Sequence, residues 1–333
     1  MRQVTATAPS NIAFIKYWGA RDLSLAIPEN ASLSMTLDVC RSTTTVTLHP
    51  HDGPDEIHIA GDGGVLVAPP ESFVTRFRRH VATLREMSGG PRERVEAVTR
   101  NTFPSDAGIA SSASGFCALA LAVSTAFGAE PDATDLSVRA RRSGSGSAAR
   151  SAMGGYVEWP PRDDPEGPAF AFADQDAWEL RDVIALVQRG PKGVSSVDGH
   201  RRATSSPHFR TRQKLVHARL DIVRSAIRDH DFAALTSVLE EEALELHLIA
   251  MSSRPPILYW SAGTLDVLHR VQTLRADGVP CAFTMDAGAN VHVICPPASE
   301  DQVAAGLQDL SSVVSIIRDR TGGGPSLLED PLG

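Results

Sequence analysis

The segment from 115 to 128, GFCALALAVSTAFG, constrains this chain more than any other. It carries no charge, and its apolar side chains fall on every side of a helix rather than along one stripe. A helix that is apolar all round has to be buried all round. The run is shorter than the roughly 20 residues that cross a bilayer, so it belongs at the centre of a layered globular domain. Directly before it stand residues 105–114, SDAGIASSAS. So many small residues permit either the close approach of a neighbouring strand or a cradle of open backbone N–H groups at the helix start. The cradle favours an anion, because unpaired N–H groups and the helix dipole both present positive charge there. Phosphate is the usual guest, and Ser111 and Ser112 would add hydroxyls for its oxygens or for a magnesium ion. The pattern GxxxxGK[ST] is absent, so this is not a Walker A loop.

With 333 residues the chain can bury a large core, and the length suggests about two domains. A formal charge of −8 and the lack of a basic cluster argue against nucleic acid. The start, MRQVTATAPSNIAF, lacks the basic head and long apolar stretch of a secretion signal, so a cytoplasmic location is expected. Cys40, Cys117, Cys281 and Cys295 lie far apart without CxxC spacing, which predicts buried free thiols and no structural metal. Lysine occurs only at 16, 192 and 214, which makes Lys16 conspicuous as a compact point donor that arginine cannot replace.

Alternating and β-branched runs at TATAPSNIAFIKYW, SLSMTLDV and STTTVTLHP predict an antiparallel sheet opening the chain. Residues 71–87 place Phe73, Phe77, Val81 and Leu84 on one helical face, with Gly89 and Gly90 ending the helix. VEAVTRNTF and GGYVEW read as strands, with short helices at PDATDLSVRARR and SGSGSAARSAM between them. The Pro- and acid-rich stretch PPRDDPEGPAFAFADQD is the candidate boundary between the halves. Beyond it, DVIALVQ, two helices within 206–250, a helix near 262–276, CAFTMD, ANVHVIC, a helix from 300 and SVVSIIRD describe an α+β sandwich with helices on one sheet face.

A second loop resembles the first: SGSGSAARSAMGG, 143–155, again runs Gly and Ser into a helix. Ser147 and Arg150 are three apart and share a helical face. Arg150 then either offers a bidentate fork to a carboxylate or phosphate, or lies on a solvated surface.

PSDAGIASSA resembles the PxxxGLxSSA phosphate loop of the GHMP kinases. NIAFIKYWG, the SGSAxRSxxGGYVxW pattern at 145–159, SRPPILYW at 253–260 and FTMDAGANV at 283–291 are similar, in the same order, to the mevalonate diphosphate decarboxylases. The resemblance implies an α+β, two-domain GHMP-kinase fold. An N-terminal ribosomal-S5-domain-2-like α/β sandwich (1–180) would bind ATP and phosphate, and a C-terminal ferredoxin-like α+β sandwich (181–333) would carry the catalytic Asp. It also implies a homodimer. The implied reaction uses ATP and Mg2+ to phosphorylate the tertiary C3 hydroxyl of a phosphorylated mevalonate, after which phosphate and CO2 leave.

Carried onto this sequence, the resemblance makes Asp286 the acceptor of the hydroxyl proton, with Lys16 steadying it. Taken alone, Asp286 reads by default as a turn cap, and Lys16 can be a solvent-facing strand lysine. Arg150 would hold the substrate carboxylate and so orient it for fragmentation. Tyr17 and Trp18 would wall the pocket or pack in the core, and Ser145 and Ser147 would bind the phosphate end. Asn101, Gly108, Ser111 and Ser112 would cradle ATP, with Ser112 also on magnesium. Arg202, beside Arg201 in VDGHRRATSS, would add a phosphate contact or stay a surface arginine.

Two departures bear on the substrate. The family segment KYWGK reads KYWGA here, so Ala20 stands where a lysine faces the phosphates. Asp106 puts an acid into the phosphate loop, as a loop cap or a magnesium contact. A hydrogen bond to a charged group contributes about 1.5 to 3 kcal/mol, so the loss of a lysine favours a less charged ligand. The expectation is therefore (R)-5-phosphomevalonate, converted to isopentenyl phosphate. The alternatives are the 5-diphosphate, a mevalonate 3-kinase that stops before decarboxylation, and a catalytically silent ligand sensor.

Overall fold

The computed structural model describes residues 2–50, 53–61, 65–104, 109–188 and 193–332. Its strands are β1 (Gln3–Ile15), β2 (Ala20–Asp22), β3 (Ile27–Pro28), β4 (Ser32–His49), β5 (Glu56–Ala60), β6 (Leu66–Val67), β7 (Arg94–Asn101), β8 (Tyr156–Trp159), β9 (Phe170–Ala173), β10 (Arg181–Leu186), β11 (Ala282–Thr284), β12 (Val291–Cys295), β13 (Ser315–Arg320) and β14 (Ser326–Leu328). Its helices are α1 (Glu71–Met87), α2 (Ser111–Ala126), α3 (Ala133–Arg141), α4 (Gly146–Arg150), α5 (Ser196–Ala203), α6 (Phe209–Asp229), α7 (Phe232–Ser252), α8 (Ala262–Ala276) and α9 (Glu300–Gln308).

The first sheet runs β14-β1-β4-β7-β5-β6, with β8 joined to β4 and β9 to β8. β1 and β4 pair antiparallel along nearly their whole length, and the register shifts between Pro9 and Asn11. That shift accommodates Pro9, since proline donates no ladder hydrogen bond and is confined to bulges and edges. The two runs SLSMTLDV and STTTVTLHP form one strand, β4, because the Asp319 carboxylate accepts the backbone N–H groups of Asp38, Val39 and Cys40. α2 lies in the core of this layer, packed with α1 side chains Phe77, Val81 and Leu84 and with Val46, Val95 and Ala97 of the sheet. α1 spans the expected residues and ends where Gly89 and Gly90 adopt positive φ.

The second sheet runs β11-β12-β10-β13. The expectation of helices on one face only is corrected by the alternation along β10. Val183 and Ala185 pack with Val267, Val271, Val303 and Leu307 of α8 and α9. Ile184 and Leu186 face the opposite way, onto Val216, Leu220 and Leu239 of α6 and α7 and onto Phe14 and Met35 of the first sheet. Both faces are therefore covered, and one of them carries the junction with the first sheet. The candidate boundary stretch contributes β9 to the first sheet, and β14 returns there from the chain's end to pair with β1. All four cysteines are buried and free, as expected.

Candidate active site

The cleft is built where the end of β1, the N-terminal ends of α2, α4 and α5, and the turn between β11 and β12 converge. Ala13, Tyr17, Trp18, Ser111, Ser112 and Ser145 contribute to its lining, together with Ser147, Arg150, His200 and Asp286.

Lys16 is 1% exposed, and its Nζ donates to Asp286 Oδ1 at 2.9 Å and to the Ala13 carbonyl at 2.7 Å. Burial pushes the Lys16 ammonium below its ordinary value, against the opposing pull of Asp286 and Glu242. For Asp286, burial acts to raise the carboxyl. The Lys16 charge and hydrogen bond outweigh it, with His292 and Arg150 adding, so the carboxyl lies below the usual range. Asp286 is 25% exposed, so it faces the cleft as a carboxylate. A solvent-facing strand position for Lys16 is thereby excluded.

Arg150 is 2% exposed and held by neutral groups: Nε and Nη2 donate to Asn11 Oδ1, Nε also to Ser34 Oγ at 3.0 Å, and Nη1 to Ser32 Oγ. Burial pushes it down to about 10, with Asp286 and Tyr17 opposing. Among the described residues no carboxylate pairs with it, so a desolvated cation stands ready for an anionic ligand.

The two Ser-rich loops meet. Ser112 Oγ lies 3.3 Å from Ser145 Oγ, which lies 3.2 Å from Ser147 Oγ. Ser111 to Ser114 form the first turn of α2 rather than a loop before it, with Ala110 in the left-handed region and no side-chain cap. Ala110, Ser111 and Ser112 bring this helix start to the cleft lining, where Ala113 N–H turns back onto the Ala110 carbonyl. The small residues also serve packing: a Cβ on Gly146 would stand 2.5 Å from Tyr17 and 2.8 Å from Trp159. The close-packing reading applies at Gly146.

Gly108 and Asp106 lie outside the described residues. Asn101 and Arg202 are not brought to the cleft lining. Asn101 Oδ1 accepts from Ser42 Oγ at the end of β7, and Arg202 sits on α5 away from the lining, near Tyr259. Arg201 pairs with Asp198 on the surface. Ala20 likewise does not line the cleft.

Several site residues escaped the sequence. His200 lies 4.1 Å from Tyr17 and 4.9 Å from Trp18, ring to ring, and its Nδ1 accepts from Gly19 N–H. His247 is buried and donates to the Asp286 backbone carbonyl; burial pushes it down to about 3, so it stays neutral. Glu242 and Arg212, both wholly buried, grip the Lys16 peptide: Glu242 accepts from Lys16 N–H at 2.9 Å, and Arg212 donates to the Lys16 carbonyl at 2.7 Å. The run EEEALELH offered no signal for these roles beyond an amphipathic helix.

The family model for the diphosphomevalonate decarboxylase-like N-terminal domain matches residues 8–169. The model for the mevalonate 5-diphosphate decarboxylase C-terminal domain matches residues 183–325. The diphosphomevalonate decarboxylase of Ganoderma lucidum is 35% identical, the match covering 88% of this chain and 78% of the relative. This chain belongs to the diphosphomevalonate decarboxylase family. The human diphosphomevalonate decarboxylase is 33% identical over 98% of this chain and 94% of its own length. Among solved structures, MDDEF in complex with MVAPP, AMPPCP and magnesium superposes with a TM-score of 0.89 at 34% identity, over 98% of this chain and 99% of the other. The mevalonate diphosphate decarboxylase of Staphylococcus aureus gives a TM-score of 0.88 at 32% identity, over 98% of each chain. The two-domain α/β architecture is that of the family.

Proposed function

We propose that this chain is an ATP- and Mg2+-dependent decarboxylase of mevalonate 5-diphosphate, yielding isopentenyl diphosphate, ADP, phosphate and CO2. The observation that carries this reading is the buried Lys16–Asp286 pair opening onto a cleft that also holds the unpaired cation Arg150. The relatives named above are diphosphomevalonate decarboxylases, which supports the diphosphate over the monophosphate.

Asp286 orients the C3 hydroxyl and takes its proton as the oxygen attacks the terminal phosphorus of ATP. A carboxyl held low is a weak base, but phosphoryl transfer through a loose transition state releases the proton late and asks mainly for alignment. Lys16 keeps the carboxylate ionised and offsets charge on the oxygen. Arg150 holds the substrate carboxylate, so that the C1–C2 bond breaks as the C3–O bond to phosphate breaks and its electrons form the alkene. Tyr17 and Trp18 wall the site, and Ser145 and Ser147 take phosphate oxygens.

The residues present fit the nucleotide and the metal. The uncapped N-terminus of α2, with Ser111 and Ser112, suits a triphosphate. Among the described residues no cluster of His, Cys, Asp and Glu could cage an ion. Magnesium would then be held by Ser112 with phosphate oxygens and water, which is its usual preference. When bound it would neutralise phosphate charge during transfer.

A second reading is the 5-monophosphate, which the sequence suggested from Ala20; among the described residues the cleft lining at Ser195, Ser196 and Val197 carries no lysine. Wild-type kcat/KM for the two substrates separates the readings: a higher value for the monophosphate overturns the first. We place the domain boundary at 180/181, with Asp286 in the second domain. On the family resemblance we also infer a cytoplasmic homodimer, and sedimentation tests the dimer.

A further inference from the structure

We infer that His292, held as a cation by Asp182, is a positioning residue for Asp286, a second buried positive charge acting from behind the β11–β12 turn; this rests on the reading of Asp286 as the proton acceptor.

β11 ends at Thr284 and β12 begins at Val291, so Thr284 and His292 flank the turn that carries Asp286. They stand opposite each other across the two strands. Their neighbours Ile184, Ala282 and Ile294 on the face that meets the first sheet are apolar and buried. Alternation puts Asp182, Thr284 and His292 on that same face. From β10, Asp182 reaches His292: Oδ2 and Nδ1 meet at 2.6 Å, with both side chains buried. Among the described residues, Asp182 Oδ1, His292 Nε2 and Thr284 Oγ1 have no hydrogen-bond partner. A buried pair with so few other contacts is a poor way to stabilise a sheet, since apolar residues of similar volume do as well or better. Its place beside the turn gives it another use.

The charges around the pair decide its form. Asp319 on β13 stands in register with Asp182, and its carboxylate accepts the N–H groups of Asp38, Val39 and Cys40. The Cys40 thiol of β4 is pushed up by burial and stays neutral. From α7, Glu242 is taken up by Arg212 and Arg219, and burial keeps His247 neutral. The acids Asp182, Asp286 and Asp319 are then matched by Lys16, Arg150 and a protonated His292. A neutral imidazole would leave one buried negative charge without a counter-charge. Burial pushes the Asp182 carboxyl up, and the His292 charge is the main influence opposing it. At Asp286 burial is again the largest influence, opposed by Lys16 and next by His292, ahead of Arg150.

The test compares wild type, His292→Gln, Thr284→Val and a double variant, Asp182→Leu with His292→Leu. The readouts are the carboxyl carbon titration of Asp286 and the ring nitrogen shifts of His292 by NMR, the acid limb of kcat/KM, and the melting temperature. In wild type both ring nitrogens of His292 should be protonated at neutral pH. His292→Gln and the double variant should move the Asp286 titration, and the acid limb with it, up by about half a pH unit to one unit. The double variant should keep or raise the melting temperature, which separates positioning from a structural role. If His292→Gln does not fold, the double variant decides. A neutral His292 ring in wild type, or an Asp286 titration within about 0.2 pH unit of wild type in the folded variants, overturns the inference. An equal shift in Thr284→Val also overturns it, because any disturbance beside the turn would then suffice. The carboxyl titration needs no turnover, so a wild type inert toward every mevalonate substrate overturns the proposed reaction without touching this result.

Discussion

Lys16 Nζ and Asp286 Oδ1 meet at 2.9 Å across 270 residues of sequence, joining the end of β1 to the turn that follows β11. The contact holds the Asp286 carboxyl low against burial, whereas at Lys16 burial outweighs it and the ammonium lies below its ordinary value. Removing the ammonium with Lys16→Met leaves burial, the largest contribution at Asp286, free to raise the carboxyl. The carboxylate is the working form, and activity falls as pH drops through its pKa. The acid limb of kcat/KM must therefore move to higher pH in the variant. The carboxyl carbon shift of Asp286, followed by NMR through the titration, checks the direction; a limb that stays in place contradicts the pairing as its cause.

Asp286→Asn keeps the shape of the side chain but cannot accept a proton. Turnover is expected to fall by at least about a thousandfold, near 4 kcal/mol at 1.36 kcal/mol per decade, while substrate binding changes little. Single-turnover phosphoryl transfer with a parallel binding titration measures both. Turnover within about tenfold of wild type would return Asp286 to a turn-capping role.

Arg150→Lys retains charge and loses the fork that reaches Asn11, Ser32 and Ser34. A loss of about a hundredfold in kcat/KM, or about 2.7 kcal/mol, is expected. Steady-state kinetics at saturating ATP give the number, and a near-normal value excludes contact with the substrate carboxylate.

Glu242→Gln strips the counter-charge from Arg212, a wholly buried cation, and loosens the grip on the Lys16 peptide. Breaking a buried pair from one side costs about 3 to 5 kcal/mol. Glu245, which also meets Arg219, is 25% exposed, and the same change there should cost about 1 kcal/mol or less. Chemical denaturation of the two variants side by side decides: equal losses would mean that the Glu242 network carries no special share of stability.

The parts of the fold that were legible in the sequence are those specified by local pattern. α1 follows from its apolar stripe and its two terminating glycines, and the buried nature of α2 from its lack of any polar face. What escaped is specified by distant contacts. β4 looks interrupted near Asp38 and Arg41 until Asp319 supplies the acceptors that keep it one strand. β9 and β14 are short, and pairing rather than propensity makes them strands. In the site, Lys16, Arg150 and Asp286 were visible through the family motifs that carry them, since each taken alone also reads as a strand lysine, a surface arginine or a turn cap. His200, Glu242 and His247 lie on helices whose sequences look ordinary, and only the packing of α5 and α7 against β1 and the loops brings them to Tyr17, Lys16 and Asp286. Arg202 misled because a pair of arginines looks like a phosphate grip, whereas α5 turns His200 rather than Arg202 toward the cleft.

The central claim is tested most directly by incubating the purified wild-type protein with ATP, Mg2+ and, in turn, mevalonate, its 5-phosphate and its 5-diphosphate, recording ADP and CO2 together. The account predicts equal amounts of ADP and CO2, with the highest kcat/KM for the 5-diphosphate. ADP without CO2 would make the chain a 3-kinase, and neither product from any of the three would contradict the account outright.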